Sequence, residues 1–470
     1  MNTAFLWIIL PGLVAIVLLI FQSRLRLISV LGALTAFAIV LSALWVPLAE
    51  RWTLGPVSLT INDTWVFLGR RFELGASERP VVLMLYLVAA FWFAAVPAIE
   101  TSSLFVPLGL GMTALLTAAI AANPFLYAAL LIEMAILVSI PFLTEQGERA
   151  GRGVLRYLTY QTLGMPFILF TGWILTGAES GPGTPEMIGR VSILLALGFV
   201  FLLAIFPFHT WIPMIVQESH PFSAAFVLLL LTGAVLFFAV ALLDRFAWLR
   251  ASEYTYQALR AAGLLMLVTS GLWAAFQRDL ARVLGYAILL DVGFSLVALG
   301  LSGQIAGSRF LEILFASFMP RGLAMGVWSL ALAVIRSHKG SLRVEDVQGI
   351  AWDHPIVSAG LLMANFSLAG LPLLASFPLR LSLLEGLGEV SSLASFSALL
   401  GSVGLLAAGL RTLAWMIAGP RERAWRFSES RLQRLYLGIG VAALLLVGIF
   451  PQFFLQFFAS LPSVFGASTP

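Results

Sequence analysis

Phe222–Leu243 reads FSAAFVLLLLTGAVLFFAVALL, a run with no charged residue and only two hydroxyls, Ser223 and Thr232. About 20 apolar residues in helical conformation cross the hydrocarbon core of a bilayer. The run does not alternate apolar with polar residues, so it is not a strand of a membrane barrel. A soluble core could hide one such segment, but this chain repeats the pattern from end to end. Of 470 residues 60% are hydrophobic and 11% are charged, against ~25% charged in ordinary soluble domains. The mean hydropathy is +0.99.

Working outward from that run gives about fourteen spans. Their cores lie near 4–21, 28–48, 81–98, 103–122, 125–143, 154–176, 190–207, 222–243, 258–276, 283–301, 311–335, 355–388, 392–417 and 435–459. The first shows no small-residue cleavage pattern behind it and reads as a span rather than a removed leader. The twelfth is too long for one straight helix and carries Pro372 and Pro378, and the end of the seventh is punctuated by Pro207 and Pro213. Interrupted backbone at membrane depth is tolerated only where protein or a water-filled cavity satisfies it. Two interruptions in corresponding positions point to a transporter of inverted repeats. The fold class expected is therefore an all-α polytopic membrane protein with two inverted five-helix repeats and discontinuous helices 7 and 12. The expected divisions are 1–102 (helices 1–3 with an outer loop), 103–243 (first repeat), 244–418 (second repeat) and 419–470 (a basic inner segment and helix 14).

Basic residues orient the bundle. With the N-terminus outside, the inner loops hold about fifteen arginines and lysines against roughly nine in the outer ones, which places both termini on the periplasmic side of a bacterial inner membrane. The stretch from Arg421 to Arg434 serves as such an orientation signal, with anionic lipid or a partner as its sharper reading. The alternation at Val57-Ser58-Leu59-Thr60-Ile61, in the long outer loop, predicts a short hairpin strand. Nothing in the pattern calls for nucleic acid, a metal or an organic cofactor: there is no phosphate loop, no dinucleotide turn, no His/Glu ligand spacing and no cysteine.

Three motifs occur in order: Pro207-Phe208-His209-Thr210-Trp211-Ile212-Pro213, then Gln277-Arg278-Asp279-Leu280-Ala281-Arg282-Val283-Leu284-Gly285-Tyr286, then Gly370-Leu371-Pro372-Leu373-Leu374-Ala375-Ser376-Phe377. They resemble the PFHxWxP, QxDLKRxLAY and GxPPxAGF segments of the antiporter-like subunits of respiratory complex I, whose relatives include Mrp-type antiporters and membrane-bound hydrogenases. Glu133 falls mid-span, where that family has a membrane glutamate. The resemblance covers roughly 80 to 415. It implies a membrane-arm subunit of an NADH:quinone oxidoreductase assembly, at or beside a proton path, without a redox centre of its own. The partners implied are other membrane-arm subunits, the bilayer and protons.

The departures from that pattern concern the chemistry. Of 27 basic residues only Lys339 is a lysine. The family's lysine positions hold Leu202, Thr232 (or its neighbour Leu231), Ala281 and Arg380; the aspartate after PFHxWxP is Met214, and the histidine of the eleventh helix is replaced near Ala316 and Ser317. A buried lysine can exchange a proton, whereas a guanidinium does not. Intramembrane ionisable residues are functional candidates by default. They are here Glu133, Asp291, Arg380, His209, Tyr286 and Arg282. Bland alternatives stand beside four of them: Glu133 as a helix–helix hydrogen-bonding group or an interface residue, Asp291 paired with Arg282 or Arg321, Arg380 bridged to Glu385, and His209 as a structural donor. The expectation is a degenerate proton path. The rivals are a non-conducting structural subunit of the same arm, or a subunit of a related antiporter, hydrogenase or bicarbonate-uptake complex.

Overall fold

A computed structural model of the chain describes residues 2–45, 51–54, 57–60, 62–67, 69–75, 78–123, 126–144, 149–175, 185–303, 307–418 and 424–453. A π-helical turn, Phe5–Ile9, runs into α1 (Leu10–Ile20), followed by α2 (Leu25–Trp45). Two antiparallel hairpins come next, β1 (Arg51–Leu54) with β2 (Val57–Thr60) and β3 (Thr64–Phe67) with β4 (Arg70–Glu73); β5 (Ala122–Asn123) joins the second. The sequence announced one strand here, and its Ile61 lies outside the described residues; the segment between α2 and Arg79 is richer in sheet than expected.

Helices make the rest: α3 (Arg79–Ala95), α4 (Phe105–Ala121), α5 (Leu126–Leu143), α6 (Arg152–Ile174), α7 (Pro185–Leu202), α8 (Trp211–Glu218), α9 (Pro221–Arg245), α10 (Ala247–Arg250), α11 (Glu253–Phe276) and α12 (Leu280–Leu301). Then follow α13 (Gly307–Ala316), α14 (Phe318–Lys339), α15 (Ile350–Asp353), α16 (Pro355–Ala369), α17 (Phe377–Val390), α18 (Ser392–Ile417) and α19 (Arg431–Ile449). Each of the expected spans meets a helix or a broken pair of helices. Nine of the described helices are both long and apolar enough to cross a membrane. Of the basic segment after α18, residues 419–423 lie outside the described residues.

Burial sorts the helices. In α9 and α12, 94% of the most apolar stretch is buried; in α11 and α18 it is 33%, and in α19 28%. α9 is apolar all round, which suits a central stave, while the outer helices present Leu272, Leu399 and Leu446 outward. Close backbone approach ties outer to inner helices: a Cβ at Gly263 would sit 2.7 Å from the carbonyl oxygen of Gly293 on α12, and one at Gly271 would overlap that of Gly401 on α18. Small residues at such crossings are the usual means of association within a bilayer, where apolar burial drives little.

Both expected interruptions are present. α7 stops at Leu202 and the chain resumes as α8 at Trp211; α16 stops at Ala369 and resumes as α17 at Phe377. The two non-glycine residues of positive φ among those described lie one in each break, Ala204 (53°) and Leu373 (70°). Such backbone is uncommon for L-residues and persists where surrounding packing enforces it. Gly370 (φ 83°) ends α16 in the left-handed conformation that glycine adopts freely. A further interruption, at Ser317 between α13 and α14, was not read from the sequence as a break.

Candidate functional site

The first two motifs form one joint. Asp279 caps α12, its side chain accepting from the amides of Ala281 (3.0 Å) and Arg282 (3.2 Å). Gln217, in the last turn of α8, donates through Nε2 to Asp279 (3.1 Å) and accepts at Oε1 from Arg282 Nε (2.6 Å). Above this contact Pro213 packs on Gly285, where a Cβ would overlap the proline backbone. Trp211 is fully buried, with its ring 5.3 Å from that of Tyr157. Arg282, expected as a partner of Asp291, is thus spent on Gln217. Met214, in the family's aspartate position, takes a contact from Arg156 Nη1 at 3.1 Å.

Deeper in the bundle lies an ion cluster. Asp291, midway along α12, faces Arg321 from the first turn of α14 and Arg380 from the first turn of α17. The three are 5%, 3% and 5% exposed. Arg321 Nε meets Asp291 Oδ2, and Arg380 Nη2 lies 3.3 Å from Oδ1. Arg321 Nη2 also donates to Ser295 Oγ and, at 3.4 Å, to Ser317 Oγ. The Arg380 guanidinium stands 4.3 Å over the ring of Phe294, and its Nη1 has no hydrogen-bond partner among the described residues. The three groups line a cavity of about 20 Å³ together with Ser295, Ser317 and Ser376. That is room for one water with polar partners.

The charge balance of this cluster is uneven: two guanidiniums against one carboxylate. Arginine holds its proton under all ordinary conditions. Neutralising Asp291 would leave two like charges facing each other in a low-dielectric interior. The cluster can therefore hold a water and set a fixed positive field, and it lacks a lysine or histidine to pass a proton on. The sequence expectation of an Arg380–Glu385 bridge is corrected: Glu385 lies 3.7 Å from Arg309 at the exposed surface, and Arg380 turns inward to Asp291. Arg321 stood in the sequence only as a possible structural partner, and Ser295 and Ser376 were not singled out. The one available signal was Ser295, a turn after Asp291 on the same helical face.

The remaining candidates do not converge on this cluster. Glu133 is half-buried on α5 and accepts from Thr162 Oγ1 at 2.7 Å. Among the described residues no hydrogen bond or ion pair joins it to Asp291 or Arg380. Leu202, 1% exposed, packs on Gly164, and its carbonyl accepts from Gln161 Nε2 at 3.1 Å. Thr232 turns its hydroxyl back onto the Leu228 carbonyl at 2.6 Å, Leu231 is fully buried, and Ala281 is fully buried at the joint. His209 stacks beside Phe206 in the first break, and its ring centroid is 6.5 Å from that of Tyr286. At the end of α8, His220 is pushed down to about 4 by burial first and by the Arg336 guanidinium second, against the pull of the Glu100 carbonyl. Among the described residues no group of three or more His, Cys, Asp or Glu side chains could hold a metal ion.

A bundle of apolar helices, two of them interrupted and one interruption beside a buried ion cluster, defines a polytopic membrane protein of the broken-helix kind. Residues 155–405, just over half the chain, match the family described as NADH:quinone oxidoreductase/Mrp antiporter, TM, and the chain belongs to that family. Among curated relatives, NADH-quinone oxidoreductase subunit N of Rhodospirillum rubrum is 26% identical over 43% of this chain and 40% of its own. Subunit N of Geotalea uraniireducens is 26% identical over 67% of this chain and 69% of its own. NADH-quinone oxidoreductase subunit 13 of Thermus thermophilus is 28% identical over 74% and 76%. The chain spans 40%, 50% and 55% of the first three relatives it matches. Among solved structures, a chain of the Mrp complex from Dietzia sp. superposes with a TM-score of 0.81 at 16% identity over 99% of this chain and 98% of that one. A chain of respiratory complex I from Thermus thermophilus with bound NADH gives 0.76 at 20% over 98% and 100%. A chain of an archaeal membrane-bound sulfane sulfur reductase gives 0.80 at 17% over 98% and 97%. These likenesses show the fold.

Proposed function

We propose that the chain is a membrane-arm subunit of a complex I-type NADH:quinone oxidoreductase assembly, seated beside the proton-translocating subunits with its own proton path interrupted. The observation that carries this reading is the contrast between the two broken helices. The first has lost its exchangeable cation to Leu202 in dry packing. The second holds a buried Arg321–Asp291–Arg380 cluster in which neither cation releases a proton. Such a subunit hands no proton across by lysine relay; it supplies a fixed field and a packed wall to its neighbours. Residues 103–243 and 244–418 form its two repeats, and both termini face the periplasm of a bacterial inner membrane. The reading that favours a purely structural role draws on the same dry packing at Leu202 and Thr232, and differs only in giving the ion cluster no influence on neighbouring carboxylates.

Purification of the tagged chain from native membranes tests the assembly: recovery of NADH:quinone reductase subunits is expected, and recovery of hydrogenase or cation-antiporter subunits in their place would overturn it. The reconstituted complex tests the path. Arg380→Leu leaves a balanced Asp291–Arg321 pair, so assembly and the ratio of protons moved to electrons passed are expected to hold. A lower ratio with assembly intact would show that protons travel through this cluster. Reporter fusions at each terminus read the orientation.

A further inference from the structure

A second cavity lies apart from the ion cluster, between α7, α9, α11 and α12. It measures about 410 Å³, within the ~300–1,000 Å³ common for small-molecule sites. Its floor is made of buried Leu203, Leu242, Leu296 and Leu299, while Ile193 (63%) and Tyr254 (83%) stand exposed on its lips. The groove is therefore open sideways, toward whatever surrounds the bundle.

Its polarity is graded along its length. The polar side chains of the lining are Ser192, in the opening turns of α7, and Ser252, Tyr254 and Thr255, at the start of α11. The opposite end is Leu203 and Ile205, inside the first helix break and directly after Leu202. At the polar end the next residues along the chain are charged: Arg250 and Asp244 form an ion pair at 3.2 Å with the arginine half exposed, and Glu253 lies between Ser252 and Tyr254. Water finds no partners along the leucine floor, and an apolar void stays dry unless an apolar ligand fills it. In a bilayer the surrounding apolar material is lipid. The length of the groove calls for a chain, its graded polarity for an amphiphile, and the mixed signs at its mouth for a headgroup bearing both charges.

We infer that this groove binds one zwitterionic phospholipid of the phosphatidylethanolamine kind. Its phosphate meets Arg250, its ammonium meets Asp244 and Glu253, and one acyl chain runs down the leucine floor to the break at Leu203–Ile205. The chain end then abuts the position where a proton-carrying lysine would need water, so hydrocarbon occupies the approach to Leu202. The inference needs only the membrane spans and stands whether or not the assembly proposed above is correct.

Two measurements on the full-length protein test it. Native mass spectrometry, after nanodisc extraction from mixed phosphatidylethanolamine and phosphatidylglycerol, should show one phosphatidylethanolamine retained per chain. Ala258→Trp, which fills the groove, should lose that adduct, while Leu399→Trp on the outer face of α18 should keep it. Photo-crosslinking of the unaltered chain with phosphatidylethanolamine carrying a diazirine on its acyl tail should label peptides 192–205 and 252–262, which decides the matter even if the tryptophan variant misfolds. Labelling spread evenly over all outer helices, retention of phosphatidylglycerol in equal amount, or a retained isoprenoid quinone or peptide in the groove would each overturn the inference.

Discussion

Removing the carboxylate of the ion cluster and removing one of its arginines should have opposite consequences, although both break the same contact. Asp291→Asn preserves shape, so packing is not the issue. It leaves Arg321 and Arg380 facing each other, both 5% exposed or less, with no other carboxylate among the residues that line their cavity. Truncating one partner of a buried ion pair costs ~3–5 kcal/mol because a charge is left uncompensated, and here two are left. Arg380→Leu removes the surplus charge instead. It gives up the 3.3 Å contact to Asp291 and the stacking on Phe294, about 1–3 kcal/mol together. It also relieves the desolvation of a guanidinium, which is worth several kcal/mol. The net effect should lie within ~2 kcal/mol of zero. Combining the two substitutions should therefore recover stability relative to Asp291→Asn alone. Unfolding midpoints of the four proteins in mild detergent give the coupling directly. If Asp291→Asn costs no more than Arg380→Leu, or if the double variant is the weakest of the four, the cluster is neutralised by something else and the reasoning fails.

The joint between the motifs makes a separate prediction. Gln217→Leu removes a hydrogen bond to Asp279 and another to Arg282 at half-buried positions and should cost ~2–3 kcal/mol, read as faster amide exchange in α8; unchanged exchange would mean that solvent replaces both bonds. Leu202→Lys places a cation in dry packing against Gly164 and should cost several kcal/mol or block insertion; a well-inserted variant that raises proton movement would reveal a hydrated cavity there. His220, at the start of α9, links stability to pH. Its folded value near 4 lies below the ordinary 6.5, so between those limits the unfolded chain binds more protons. Stability is full above pH 6.5 and falls as pH drops toward 4, by at most about 3 kcal/mol, less whatever solvent screens at a ring that is only partly enclosed. His220→Gln should flatten that slope in detergent unfolding, and an undiminished slope would assign it to another group.

The spans were legible because hydropathy records the solvent each segment meets, and the two breaks were legible because prolines mark them. The partners of the buried charges were much less so. Spacing along one helix fixes which residues share a face, but not how that helix is rotated against its neighbours. Asp291 could have met Arg282 or Arg321 on the information in the chain; it meets Arg321, and Arg380 as well. One error was avoidable. Arg380 and Glu385 are five residues apart, about 140° around a helix, whereas neighbours on a helical face stand three or four apart. Glu133 shows the limit of position without orientation. It falls midway along α5, yet α5 buries Ala129, Ile132 and Ala135 and exposes Leu130, Met134 and Leu137, which leaves Glu133 on the margin between them. The break at Ser317 did have a signal, Pro320, whose missing N–H leaves the Ala316 carbonyl without its helical donor, and it was passed over; the second hairpin lay in a loop of weak alternation.

What carries the family resemblance here is a set of backbone supports. Asp279 is a helix cap, Pro213 fits the space above Gly285, Trp211 fills the interior beside Tyr157, and Gly370 takes a left-handed turn. None of these roles requires a proton to move, and each would be needed equally by a subunit that conducts and by one that does not. The residues that would separate the two cases sit at Leu202, Thr232, Ala281 and Arg380, where this chain has three non-ionisable side chains and a guanidinium. A motif match therefore identifies the scaffold, while the chemistry must be read at the positions between the motifs. On that reading the ion cluster at Asp291 is a buried place where charge, hydroxyls and room for a water meet, and no side chain in it can take up and release a proton as a lysine would.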